Sequence, residues 1–172
     1  MSVRQIRLLG DPVLRQKAVA VEEVDESVRR LIQDLLDTMY EADGIGLAAP
    51  QIGVPLRVFV YDVREEGAAG ALVNPEILER HGSVKGEEGC LSIPGLSEIV
   101  ERSDRIRLRA LDGEGREVVL EAEGLLSRCL QHEQDHLDGV LFLDRVSPLK
   151  RKMLLKKWAK MEESERRTNV AL

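Results

Sequence analysis

The chain has 172 residues, 43% hydrophobic and 33% charged, which suits one compact domain spanning residues 1–172. A net charge of −6, with one Trp, two Tyr and two Phe, excludes a general nucleic-acid binder, which needs a basic surface and stacking rings. No apolar run reaches the roughly 20 residues of a membrane span and Met1-Ser2-Val3-Arg4-Gln5 is no leader, so a cytoplasmic protein without membrane contact is expected, with Cys90 and Cys129 reduced.

After an irregular opening through Gly10-Asp11-Pro12, the residues Val28, Leu31, Ile32, Leu35, Leu36 and Met39 recur at the spacing of one helical face. They predict a core-facing helix over about 26–42, with Asp25 as N-cap and Asp43-Gly44 as stop. A glycine-rich turn is expected over 44–55. Short apolar or alternating runs at 57–63, 71–74, 76–80, 97–101, 105–111 and 117–121 read as strands, with Asp112-Gly113-Glu114-Gly115 as a hairpin turn. Helical spacing returns at Leu125, Leu126, Cys129, His132, Glu133 and His136 and closes at Asp138-Gly139; a last helix is expected from 148 to about 163. Strands cluster rather than alternate with helices, so the fold class is α+β: mostly antiparallel sheets packed around the histidine-bearing helix, plus a C-terminal helix.

His132-Glu133-Gln134-Asp135-His136 is H-E-x-x-H on that helix, which sets two imidazoles one turn apart on one face, able to chelate one ion. Glu133 is placed to act on water as a general base without being a ligand. The five residues alone are equally compatible with two partly buried core histidines. A catalytic site wants a third protein ligand and an open position. His81, in Arg80-His81-Gly82-Ser83, reads as a solvated turn residue. Cys90, in Glu88-Gly89-Cys90-Leu91-Ser92, is the better candidate, because Gly89 lets the backbone approach closely. Cys129 shares the face of His132, but its leucine neighbours favour a packing role.

Gly44-Ile45-Gly46-Leu47-Ala48-Ala49-Pro50-Gln51 satisfies a dinucleotide-loop pattern superficially. A helix precedes it, and Pro50, Gly53 and Pro55 prevent a helix from opening there, so that reading fails. What remains is a tight segment whose backbone can approach a ligand and whose Gln51 amide can donate to an oxyanion.

Together, the segments Gly44 to Gln51, Glu88 to Ser92 and Gln131-His132-Glu133-Gln134-Asp135-His136-Leu137 resemble, in order and spacing, the three signature motifs of peptide deformylase, and the closing helix resembles the type 1 bacterial form. The resemblance implies a hydrolase that removes the N-formyl group from the initiator formyl-methionine of nascent polypeptides, releasing formate. It implies Fe(II) on Cys90, His132 and His136, one ion per chain, with Zn, Ni or Co as substitutes. By the same resemblance Glu133 takes a proton from the attacking water and returns one to the departing amine, while Gln51 and the Leu91 N–H hold the oxyanion. Ile45, Leu125, Cys129 and the His132 ring match the methionine pocket, with Ile45, Gly46 and Gly89 along the peptide. Gly86 and Arg128 depart from the bulky aliphatic residues of some members; Arg128 is expected to lay its stem along the opening with its charge in water. Glu88 is expected to face His132, and Asp135 to pair with a cation such as Arg102.

Two other readings share these residues. An H-E-x-x-H zinc peptidase is disfavoured by Cys90, and a catalytically dead metal-binding relative by the intact Glu133, Gln51 and Leu91. Lys150, Arg151, Lys152, Lys156, Lys157 and Lys160 make the last helix basic in an acidic protein. Ribosome contact through that face is expected, with Met153, Leu154 and Trp158 anchoring the other.

Overall fold

The computed structural model describes residues 2–161 and 165–166. Helix α1 (Glu26–Glu41) begins where Asp25 accepts the Val28 N–H at 3.0 Å and turns Val28, Leu31, Ile32, Leu35 and Met39 inward. The segment expected to be one turn instead forms strand β1 (Gly46–Ala48) and a 3-10 turn (Ala49–Ile52). Small residues let β1 lie antiparallel to β2 (Val58–Asp62). Strand β3 (Ala69–His81) joins the two separate runs read from sequence. Asn74 sits there at φ 52 before Pro75, and the pairing slips between Val73 and Glu76, so the break becomes a bulge rather than an end.

The ribbon strands β4 (Val84–Gly89) and β5 (Ser97–Arg102) form a sheet of their own, while β6 (Arg105–Leu111) and β7 (Glu117–Glu123) complete a five-stranded antiparallel sheet of order β1-β2-β3-β6-β7. Strand β4 lies outside the runs expected as strands, because Val84-Lys85-Gly86-Glu87-Glu88-Gly89 carries a single apolar residue and no alternation. Helix α2 (Gly124–Leu137) bears the histidines, and α3 (Pro148–Lys160) follows a 3-10 turn at Phe142–Arg145. The helix expected to reach about 163 is seen to Lys160; positions 162–163 lie outside the described residues.

Strand β2 shows how the layers stack. Val58 and Val60 join the core under α1, whereas Phe59 and Tyr61 join the core shared with Cys129, Leu130 and Leu137 of α2. Alternate side chains of a strand point to opposite faces, so the two helices cover the two faces of one sheet. A third core packs Leu154 and Trp158 of α3 against Ile93, Leu96, Val100 and Phe142. Met153 is exposed, contrary to the expected anchor, because it lies off the face defined by the i, i+4 pair Leu154 and Trp158. The mixture of helices and antiparallel sheets is the α+β class.

Candidate metal centre

Three elements meet at the site. The ribbon delivers Glu88 from β4 and Cys90 just beyond it, the β1 segment delivers Gly46 and Gln51, and α2 delivers His132, Glu133 and His136. Every residue of α2 from Ser127 to Leu137 is buried, whatever its polarity.

The Nε2 atoms of His132 and His136 lie 3.2 Å apart, and Cys90 Sγ lies 3.3 Å from His136 Nε2. These three donor atoms all fall within 4.8 Å of one another. Nitrogen ligands at about 2.0–2.1 Å on a tetrahedral ion sit roughly 3.3 Å apart, so the group fits a single ion, and an N2S donor set suits Zn or Fe(II) and its first-row neighbours. Two imidazole nitrogens this close cannot both carry protons. Burial and then the neighbouring His132 hold His136 well below its usual value, whereas Cys90 and Glu88 hold His132 above its own despite burial.

Glu88 Oε2 is 3.0 Å from His132 Nδ1, the contact expected from sequence, which leaves Nε2 directed at the ligand group. Burial alone would raise the Glu88 carboxyl, but hydrogen bonds from Arg102 and His132 keep it well below the usual carboxylate range. Arg102 donates Nε and Nη2 to Glu88, both at 2.8 Å, and Nη1 to Asp135 at 2.7 Å, so the Asp135 cation is the one expected. Arg145 adds a bidentate pair on Asp135 at 2.8 and 3.1 Å. No sequence motif marked Arg145; it reaches Asp135 from the turn before α3.

Glu133 is buried beside the three donors. A Cβ at Gly46 would lie 2.5 Å from Glu133 Oε2 and 3.0 Å from Cys129 Sγ, so only glycine lets β1 pass this close to the carboxylate. Burial pushes Glu133 up to about 7, against the pull of His132. Its Oε1 has no protein partner among the described residues.

Gln51 is fixed from both ends: Oε1 accepts the Ala48 N–H at 2.9 Å and Nε2 donates to Ser92 Oγ at 3.0 Å. Nε2 also lies 3.6 Å from Cys90 Sγ. Ser92, two residues beyond Cys90, was not singled out in the sequence; its hydroxyl accepts this amide N–H. Leu91 is half-buried beside Gly44, where an added Cβ would lie 2.7 Å from its Cδ1.

A cavity of about 620 Å³ opens onto these groups and is lined by Ile45, Gly46, Gln51, Gly89, Cys90, Leu91, Leu125, Cys129, His132 and Glu133. Ile45 and Leu125 are exposed at its mouth, whereas Cys129 is buried in its wall with Sγ 3.4 Å from the Ile45 carbonyl. His136 lies behind the lining. His81 stands apart, exposed at the end of β3 and 3.4 Å from Glu79. Arg128 corrects the expectation of a solvated charge: it is buried, with its guanidinium on Glu88 and two ribbon carbonyls, because Gly86 leaves room for it there.

A family model described as polypeptide deformylase matches residues 3–152. A peptide deformylase of Alkalilimnicola ehrlichii is 56% identical over 94% of this chain and 92% of its own, and one of Acidothermus cellulolyticus is 53% identical over 91% and 86%. Among solved structures, a peptide deformylase from Legionella pneumophila superposes with TM-score 0.88 at 49% identity, covering 92% of this chain and 95% of that one. One from Ehrlichia chaffeensis in complex with actinonin gives 0.89 at 41% identity, covering 95% and 99%. Matches of this identity and extent mean that the chain belongs to the polypeptide deformylase family of hydrolases.

Proposed function

We propose that the chain removes the N-formyl group from the initiator formyl-methionine of nascent polypeptides in the cytoplasm, releasing formate. The observation that carries this reading is the buried Glu133 carboxylate, crowded against Gly46 and beside the converging Cys90, His132 and His136 donors in an apolar-mouthed cavity. The three donors would hold one ion, Fe(II) by family resemblance with Zn, Ni or Co as substitutes, which when bound supplies the Lewis acidity that makes hydroxide available near neutral pH.

The remaining work falls to the protein. A carboxyl raised to about 7 can accept a proton from the attacking water and return it to the departing amine, since neither transfer is far uphill at neutral pH. Gln51 presents Nε2, because Ala48 already occupies its Oε1, and with the Leu91 N–H it would stabilise the negative oxygen of the tetrahedral centre. That amide is held before substrate arrives, so little reorganisation opposes it. Ile45, Leu125 and Cys129 offer an apolar wall for the methionine side chain, while Gly46 and Gly89 leave space for the peptide backbone. The test is to offer the metal-loaded protein matched formyl-methionyl, acetyl-methionyl and free-amine peptides. Formate release from the first, with the acetyl group and the internal peptide bonds left intact, supports the reading; cleavage of internal bonds irrespective of formylation would make it an H-E-x-x-H peptidase instead.

The basic face of α3 supports a further element, electrostatic contact with the ribosome where such chains emerge. Lys152, Lys156, Lys157 and Lys160 are exposed beside Met153 and Leu149, whereas Leu154 and Trp158 hold the helix down. Replacing the exposed Lys152, Lys156, Lys157 and Lys160 by Gln, which keeps Leu154 and Trp158 packed, should reduce salt-sensitive co-sedimentation with ribosomes and largely spare turnover of a short peptide. Unchanged co-sedimentation would leave α3 a structural element.

A further inference from the structure

Arg128 takes no part in the chemistry above, yet its guanidinium is buried at the cavity wall. It reaches from α2 into the ribbon, donating Nη1 to Glu88 Oε1 at 3.1 Å and to the Val100 carbonyl at 2.9 Å, and Nη2 to the Val84 carbonyl at 2.9 Å. Residues 84, 86 and 88 fall on one face of β4, and Gly86 pairs across the ribbon with Val100. The slot that receives the guanidinium is therefore the missing side chain of Gly86: a Cβ there would lie 3.1 Å from both Cζ and Nη2 of Arg128.

Both halves of the metal centre meet across this contact. Cys90 and Glu88 belong to the ribbon, while His132 and His136 belong to α2. Arg102 ties the halves together at Asp135, and Arg128 ties them seven residues earlier, about 10 Å along the helix, with His132 between. Other contacts also cross between the halves, Glu88 on His132 and Ser103 on Gln131, but Arg128 grips the ribbon strands by their backbone, at the Val84 and Val100 carbonyls, and so fixes their angle to α2. We propose that Arg128, seated over Gly86, is a positioning residue that holds Glu88 and Cys90 in register with His132 and His136, so that metal retention depends on it. The proposal rests on the reading of Cys90, His132 and His136 as ligands.

The test loads purified protein with Co(II), whose visible bands report thiolate ligation and coordination geometry, and follows metal release into excess chelator. Arg128→Met should speed release by about 10- to 100-fold, the usual scale for losing support of a ligand, and alter the visible spectrum. Arg128→Lys should fall between, because an ammonium cannot meet three acceptors in the guanidinium's planar fork. Gly86→Ala, which crowds the fork, should move release the same way by a smaller factor. A merely structural Arg128 would lower the unfolding temperature of the metal-free protein while leaving release and spectrum at wild-type values, and that result overturns the proposal. Should Arg128→Met not fold, wild-type release from both Arg128→Lys and Gly86→Ala overturns it equally. If the wild-type protein itself shows no cobalt–thiolate band, the ligand assignment fails and takes this proposal with it, a result distinct from a failure of Arg128 alone.

Discussion

Helices α1 and α2 cover opposite faces of one sheet, and the residues they turn inward differ in kind. Leu35 and Met39 of α1 are fully buried among valines and leucines, and Thr38 is the buried polar residue of that helix. In α2, Gln131, His132, Glu133, Gln134, Asp135 and His136 are all buried. An apolar face gains stability simply by leaving water. A buried polar face costs stability unless each group is met, and α2 is met by Glu88, Arg102, Arg145 and Ser103 from elements on several sides. Helix α1 can thus be understood from its own sequence, whereas α2 depends on what surrounds it; among the described residues its Glu133 Oε1, Gln134 Oε1 and His136 Nδ1 stay unmet, and of these it is Glu133 that faces the cavity.

The sharpest break in this comparison is Glu133→Gln. Removing the proposed base without removing a proposed ligand should leave metal content unchanged and lower kcat by about 10²- to 10⁴-fold. Thermal unfolding of the metal-free variant should be unchanged or improved, because burial disfavours the charge that is lost. Metal analysis, turnover and a melting curve read the three effects separately. Near wild-type turnover in a metal-replete variant would remove Glu133 from its assigned role.

The mirror experiment in α1 is Leu35→Ala. At a fully buried position this should cost about 2–5 kcal/mol, the lost transfer energy plus a cavity, while kcat of the protein that remains folded stays unchanged. Denaturant unfolding gives the first number and kinetics below the transition the second. A loss of kcat in folded protein would show that the sheet transmits packing changes from one face to the other.

The same contrast accounts for what could be read without coordinates. The range of α1 follows from its 3.6-residue pattern and Asp25, and the two histidines follow from the fixed spacing of H-E-x-x-H on α2, whereas Cys90 was read from the separate Glu88–Ser92 segment. Strand β4 was not legible, because the face it turns toward Arg128 carries Val84, Gly86 and Glu88: the first is exposed, the second has no side chain and the buried third is charged, so hydrophobic alternation is absent. Arg128 was misplaced for the same reason. A lone arginine on a helix is ordinarily expected in water, and only the pairing of β4 with β5 shows that Gly86 makes a slot for it. Ser92 and Arg145 act on Gln51 and Asp135 across distances in sequence that no local pattern encodes.

Thr38 supplies the smallest and most discriminating comparison, since it is a buried polar group on the helix assigned no chemistry. Its Oγ1 accepts the Arg4 N–H at 2.8 Å and donates to the Asp34 carbonyl at 2.7 Å, so it fastens the N-terminal segment to α1. Thr38→Val keeps the shape and removes the acceptor. Arg4 is exposed, so water can replace part of what its N–H loses, and the cost should lie near the low end for a lost hydrogen bond, about 1 kcal/mol. The denaturation midpoint should fall with an unchanged m-value, and kcat should not move. If kcat fell along with stability, buried polarity on α1 would be coupled to the metal centre after all, and the division between the two helices would have to be redrawn at Arg4, whose neighbour Arg7 donates its backbone N–H to the Gln51 carbonyl three residues along the same segment.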